Sequence, residues 1–151
     1  TSMTANAKIY LASDHAGAQL RNVVVTHVAS LGLHVVDLGP TDGSSVDYPD
    51  YGEKLALALS EDGDARGVAI CGSGIGISIA VNRFPWVRAA LVGSVEAAKL
   101  SREHNNANVI ALGERLITQD TALACIDVFL STDFEGGRHE RRVDKLTKLS
   151  P

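Results

Sequence analysis

The 151-residue sequence predicts one α/β domain: a five-stranded parallel sheet covered by helices on both faces. Two observations carry this. Short apolar runs alternate with longer segments of helical period, the pattern of strands joined by crossover helices. The ionisable and small polar residues follow directly after the apolar runs. A parallel sheet gathers its ligand site there, beyond the carboxyl ends of its strands.

The elements follow in order. "KIYLAS" (8–13) reads as the first strand, and Leu20, Val24, Val28 and Leu31 share one face of the helix after it. "LHVVDLG" (33–39) is the second strand. "PTDGSSVDYP" is rich in turn residues, and Asp50 with Glu53 predicts a capping box for a helix running through Ser60. "GVAIC" (67–71) is a third, wholly apolar strand, followed by a helix from about Ile75 to Arg83 that stops before Pro85. "VRAALVG" (87–93) is the fourth strand, and Ser94 caps a helix running towards His104. "NVIALG" (108–113) is the fifth strand, before helices at about 118–130 and 138–149. Residues 1–7 read as a disordered segment or tag remnant, and 8–151 as a single domain.

Composition restricts the function. No apolar run approaches membrane-spanning length, and "TSMTANA" lacks the apolar core of a signal peptide. Two cysteines far apart give no disulfide framework, which points to a reducing, cytoplasmic setting. A net charge of −4 argues against a general nucleic-acid or anionic-membrane binder.

The strand ends carry "SDHAG", "DLG" leading into "DYPDYG", "CGSGIG", "VGSVE" and "LGER". In "GVAICGSGIGISIAVNR" the glycines Gly72, Gly74 and Gly76 stand at every second position. A dinucleotide fingerprint needs G-x-G-x-x-G and an acidic residue after the next strand, where this chain has Gly93 and Ser94. A phosphate-binding P-loop needs Lys-Ser/Thr after its last glycine, and this loop continues with Ile77 and Ser78. A turn of backbone N–H groups at a helix N-terminus remains, able to stabilise negative charge. Cys71 lies at its mouth, where a thiol of ordinary pKa about 8.5 is pulled down and its thiolate becomes reactive. Cys125 shares a helix face with Ala122 and Phe129 and reads as a small buried hydrophobe.

"SDHAG", "DYPDYG", "CGSGIGISIAVNR", "REHNNANVIALGER" and "RHERRVDKL" together resemble the ribose-5-phosphate isomerase B family, the RpiB/LacAB sugar-phosphate isomerases, in order from Lys8 to Leu149. The resemblance implies a Rossmann-like three-layer α/β/α sandwich and a homodimer, or dimer of dimers, with active sites at the subunit interface. It implies no metal or organic cofactor. The reaction it implies interconverts an aldose phosphate and a ketose phosphate, chiefly ribose 5-phosphate and ribulose 5-phosphate. Relatives act on galactose 6-phosphate, allose 6-phosphate or tetrose phosphates with nearly the same motifs. A pentose is favoured because one chain carries the base, the ring-opening histidine and both arginines. The rival reading is a nucleotide- or phosphate-binding module on the same fold, which needs neither Cys71 nor His104.

By resemblance, Cys71 is the base that moves a proton between C2 and C1 through a cis-enediolate. Members with glycine there use a glutamate a few residues on, but here that stretch is "GISIA", without a carboxylate. The N–H groups of Gly72, Ser73, Gly74, Ile75 and Gly76 stabilise the enediolate, and the Ser73 hydroxyl shuttles a proton between its oxygens. His104 opens the sugar ring from across the dimer, with Asn105 beside it. Tyr48 and Asp14 contact sugar hydroxyls. Arg138 and Arg142, four apart on one helix, hold the phosphate with His15 and with Arg115 from the partner subunit. His139, between the two arginines, receives no role. No histidine pair shows zinc-site spacing, so no metal is expected.

Overall fold

The computed structural model describes residue 3 and residues 6–149. Five strands, β1 (Lys8–Ser13), β2 (His34–Asp37), β3 (Arg66–Cys71), β4 (Ala89–Leu91) and β5 (Val109–Gly113), form one parallel sheet in the order β2-β1-β3-β5-β4. Six helices accompany them: α1 (Ala18–Ser30), α2 (Tyr48–Ser60), α3 (Ile75–Val81), α4 (Val95–Glu103), α5 (Gln119–Ser131) and α6 (Arg138–Thr147). A single 3-10 turn, His15–Gly17, leads into α1.

The two-residue period of a strand sorts side chains between the faces. Ile9, Leu11, Val68, Ile70, Ile110 and Leu112 meet α1, α4 and α5 through Leu20, Val24, Val28, Ala98, Ile126 and Phe129. Ala12, Ala69, Cys71, Val109 and Ala111 turn the other way, towards Leu55, Ala56 and Leu59 of α2 and Ile77 and Val81 of α3. The central strand β3 is buried along its whole length. Its continuous apolar reading in the sequence follows from that.

Several boundaries differ from the sequence reading. α2 begins at Tyr48 behind Asp47, so Asp50 sits inside the first turn and the proposed Asp50–Glu53 capping box does not form. Pro49 explains the shift, because its fixed φ suits the first turn of a helix and its missing N–H is no loss there. Leu31 caps α1 and is 48% exposed, so it does not share the buried face of Leu20, Val24 and Val28. β4 is only three residues long, as befits an edge strand. Ser94 does cap α4, its hydroxyl accepting from the Ala97 N–H at 3.2 Å. The segment 1–7 falls mostly outside the described residues. Of those described, Ala7 is buried and Met3 packs against the core.

Candidate active site

Strand order reverses beside β1 and β3, and the crevice beyond their carboxyl ends is where a parallel sheet opens to a ligand. Cys71 closes β3 there. Its Sγ accepts from the Gly74 N–H at 3.1 Å, and the side chain is 4% exposed, more covered than a reactive thiol at an open turn. Gly74 has φ +77°, a left-handed conformation that permits the chain to turn at once into α3. The Ile75 N–H donates to the Ser73 Oγ at 3.2 Å. Two of the five N–H groups expected to face an enediolate are therefore engaged within the loop.

The neighbouring strand ends converge on the same crevice. Asp14 is buried, and its Oδ1 accepts from the Gly17 N–H at 3.0 Å. His15 is exposed, with the Val46 backbone nitrogen and oxygen 3.1 and 3.0 Å from its Nδ1. The Tyr48 ring lies over Gly76, so close that a Cβ there would stand 2.6 Å from it. The turn after β5 completes the edge: the Arg115 N–H donates to the Gly72 carbonyl at 3.0 Å. Its guanidinium covers Gly72, with Nη1 3.2 Å from where a Cβ would stand.

The remaining predicted residues are elsewhere. His104 caps the C-terminus of α4 and Asn105 follows it, in the short turn that leads into β5. They lie at the amino edge of the sheet. The segment that leads into α6 is held to the same edge, the Glu135 N–H donating to the Glu103 carbonyl at 3.1 Å. Arg138 and Arg142, exposed on α6, therefore share an edge with His104 and Asn105. Five residue steps of about 3.3 Å separate Arg66 from Cys71, so the two edges stand ~16 Å apart. Within one chain the arginines divide by edge. Arg115 lies with Cys71 of its own chain, and Arg138 and Arg142 lie with His104. The β5–α5 turn ties Arg115 to Gly72, whereas α6 starts from the far end of α5.

The amino edge is built on buried cations. Arg102 donates from Nη1 to Asn106 Oδ1 (2.9 Å) and the Ala107 carbonyl (2.7 Å), and from Nε to the Thr132 carbonyl (3.1 Å). Arg66 donates to the Phe129 carbonyl at 2.6 Å. Desolvation pushes both guanidinium groups down to about 10; Arg66 and Arg88 add to the effect on Arg102, and Asp133 opposes it at both. These bonds satisfy carbonyls where α4 and α5 end. Asn106 takes φ +47°, a left-handed turn that asparagine tolerates, so the "HNN" stretch can reverse the chain. A groove of about 780 Å³ opens at this edge, between residues 82–90, Asn105 and Leu146 and Leu149 near the end of α6. It is remote from Cys71.

Sequence reasoning missed two residues here. The His139 ring stacks on that of His104, centroids 4.3 Å apart and planes 14° from parallel. Glu135 Oε1 lies 3.9 Å from His104 Nε2 and 3.7 Å from His139 Nε2. The three ligand atoms fall within 4.8 Å, a grouping that zinc-type spacing did not reveal. Nearly parallel stacked rings aim their in-plane lone pairs along separate planes, a poor arrangement for one metal ion. Glu135 belongs to no motif, and only its i,i+4 relation to His139 carried a signal.

Comparison with known proteins gives a consistent result. The family model described as "Ribose/Galactose Isomerase" matches residues 9–146. Ribose-5-phosphate isomerase B of Escherichia coli is 39% identical over 94% of this chain and 95% of its own. The structure of the Clostridium thermocellum ribose-5-phosphate isomerase B superposes with TM-score 0.91 at 45% identity, covering 93% of this chain and 95% of that one. The Mycoplasma genitalium ribose-5-phosphate isomerase B, solved with bound ribulose 5-phosphate, gives TM-score 0.91 at 40% identity, covering 93% and 94%.

Proposed function

The chain belongs to the ribose/galactose isomerase family, and from that premise we propose that it interconverts ribose 5-phosphate and ribulose 5-phosphate at a site assembled from two copies of itself. One observation carries the assembly: the residues the reaction needs divide between opposite edges of the sheet, Cys71 at one and His104, Arg138 and Arg142 at the other. No side chain bridges ~16 Å, so the edge of a second copy supplies what the first lacks.

At the carboxyl edge Cys71 acts as base. Its sulfur takes the C2 proton of the open-chain aldose, and the electron pair moves to form the enediolate. The proton returns to C1, leaving a carbonyl at C2. Ser73 moves the accompanying proton between O1 and O2, and the N–H groups of the Gly72–Gly76 loop other than those of Gly74 and Ile75 stabilise the charge on oxygen. Asp14 and Tyr48 bind sugar hydroxyls, and His15 and Arg115 meet the phosphate from this side. The second copy adds Arg138 and Arg142 as the phosphate grip, with His104 and Asn105 for ring opening. Two free cysteines buried in separate cores suit a reducing cytoplasm.

A panel of four-, five- and six-carbon sugar phosphates tests this, followed by proton NMR in deuterated water without added cofactor. Ribose 5-phosphate should turn over fastest, with the transferred position exchanging its proton. Faster turnover of a hexose or tetrose phosphate would move the substrate within the family. Binding without turnover of any of them would leave a phosphate-binding module.

A further inference from the structure

The amino edge holds an arrangement that the reaction above does not use. His104 and His139 stack with their Nε2 atoms facing one carboxylate oxygen of Glu135. The surroundings of the two rings differ. The His104 side chain is 39% exposed and turned to the surface, whereas that of His139 is 11% exposed and stacked against it. Its neighbours hold His139 below the ordinary imidazole pKa: desolvation first, then His104 and Arg138, with Arg142 adding and Glu135 opposing.

We propose that His139 and Glu135 are positioning residues for His104 in sugar-ring opening, His139 as the stacking floor and Glu135 as the carboxylate that orients the ring. This rests on the reading of His104 as the ring-opening group. In that step the O1 hydroxyl proton leaves as the C1–O4 bond breaks. The bond's electron pair goes to O4, which receives the proton, and C1 becomes an aldehyde. An imidazole that carries this proton must hold one orientation while its charge changes. The Glu135 carboxylate, 3.9 Å from Nε2, favours positive charge on that side of the ring and leaves Nδ1 for the sugar. The aromatic face of His139 supports the imidazolium as it forms. His104 stands at a helix end with its side chain partly exposed, so these two contacts narrow the orientations open to its ring. The anchoring is firm because α4 and the 132–137 segment are pinned by the Arg102 Nε–H donating to the Thr132 carbonyl and by the Glu135 N–H donating to the Glu103 carbonyl.

Ribulose 5-phosphate separates ring chemistry from proton transfer. With its 5-hydroxyl esterified it has no furanose form, so exchange of its C1 proton with deuterated water needs the enediolate but no ring opening. Full turnover of ribose 5-phosphate needs both. The readout is the ratio of ribulose 5-phosphate exchange to ribose 5-phosphate turnover, measured on the assembled protein. Glu135→Gln and His139→Ala should each raise that ratio about tenfold, as expected when a reacting group is misplaced by a fraction of an ångström. His139→Phe, which keeps a stacking face, should raise it much less than His139→Ala. Glu135 is half exposed, so Glu135→Gln tests the idea even where His139→Ala weakens the fold. An unchanged ratio in Glu135→Gln and His139→Ala, whether both activities fall together or neither moves, would overturn the positioning role. His104→Ala distinguishes the two readings. A raised ratio there with unchanged ratios in the others removes only this inference. An unchanged ratio in His104→Ala removes the ring-opening assignment itself.

Discussion

The two edges of the sheet solve different problems with different materials. The carboxyl edge is built on backbone: Gly72 and Gly76 leave room for the Arg115 guanidinium and the Tyr48 ring, and Gly74 and Gly113 let the loop pass against the turn after β5. The amino edge is made of long side chains, with buried arginines tying helix ends together and histidines and arginines displayed above them. A backbone cradle suits charge that develops at one fixed point, such as an enediolate oxygen. A side-chain array suits a ring that must open and a dianion that must be gripped. This division between edges is the basis on which we propose a site completed by a second copy.

The largest effect should come from removing the thiol assigned as the base. Cys71→Ala should lower turnover ~10²-fold or more while ribose 5-phosphate still binds, because the phosphate contacts do not involve the thiol. Initial rates and calorimetric binding check this. Turnover near the wild-type level would remove Cys71 from the reaction.

Mixing tests the division itself. Cys71→Ala disables one edge and Arg142→Ala the other, so each homodimer alone should be nearly inactive. After co-refolding in equal amounts, half of the dimers pair unlike chains, and each of those holds one intact site and one doubly defective one. Activity should return to about a quarter of wild type. No recovery, with mixed dimers confirmed by native mass spectrometry, would mean that each chain completes its own site.

A third test strikes the close packing of the carboxyl edge. A Cβ on Gly113 would stand 2.4 Å from the Ser73 carbonyl oxygen and 2.5 Å from its carbon, both backbone atoms that give way only if the loop moves. Gly113→Ala should cost about 1–3 kcal/mol, seen as a lower melting temperature, and should reduce turnover by displacing the loop. A melting curve that overlays the wild type would show the cradle to be more pliable than its contacts indicate.

The carboxyl edge was legible in the sequence because its chemistry follows directly on strands, and a strand's end can be read from an apolar run meeting glycine or aspartate. Cys71, Ser73, Asp14 and His15 all stand within two residues of such an end. The amino edge was legible only as motifs. Nothing local says that "EGGRHERR" folds back against "REHNN", since the contact spans some thirty residues and depends on where α5 stops. His139 and Glu135 went unread for that reason. The start of α2 was misplaced by a local preference: an Asp–Glu pair at capping distance competed with Pro49, and the proline prevailed.

The smallest expected effect concerns the amino edge and its dependence on pH. His139 has its pKa lowered in the folded chain by desolvation, His104, Arg138 and Arg142, against the opposing pull of Glu135. An unfolded chain offers the same imidazole near 6.5. Folded protein therefore binds this proton more weakly than unfolded protein does. Above about pH 7.5 neither form is protonated and His139 contributes no pH dependence. As pH falls through about 6.5 the unfolded chain takes up the proton first, so stability is lost on the acid side. His139→Phe removes the group while keeping an aromatic ring in its place. The wild type should lose more melting temperature than His139→Phe between about pH 7.5 and pH 5.5, the other titrating groups being common to both. Parallel curves would show that the shift is absent, and a smaller loss in the wild type would show that Glu135 outweighs desolvation and the neighbouring cations.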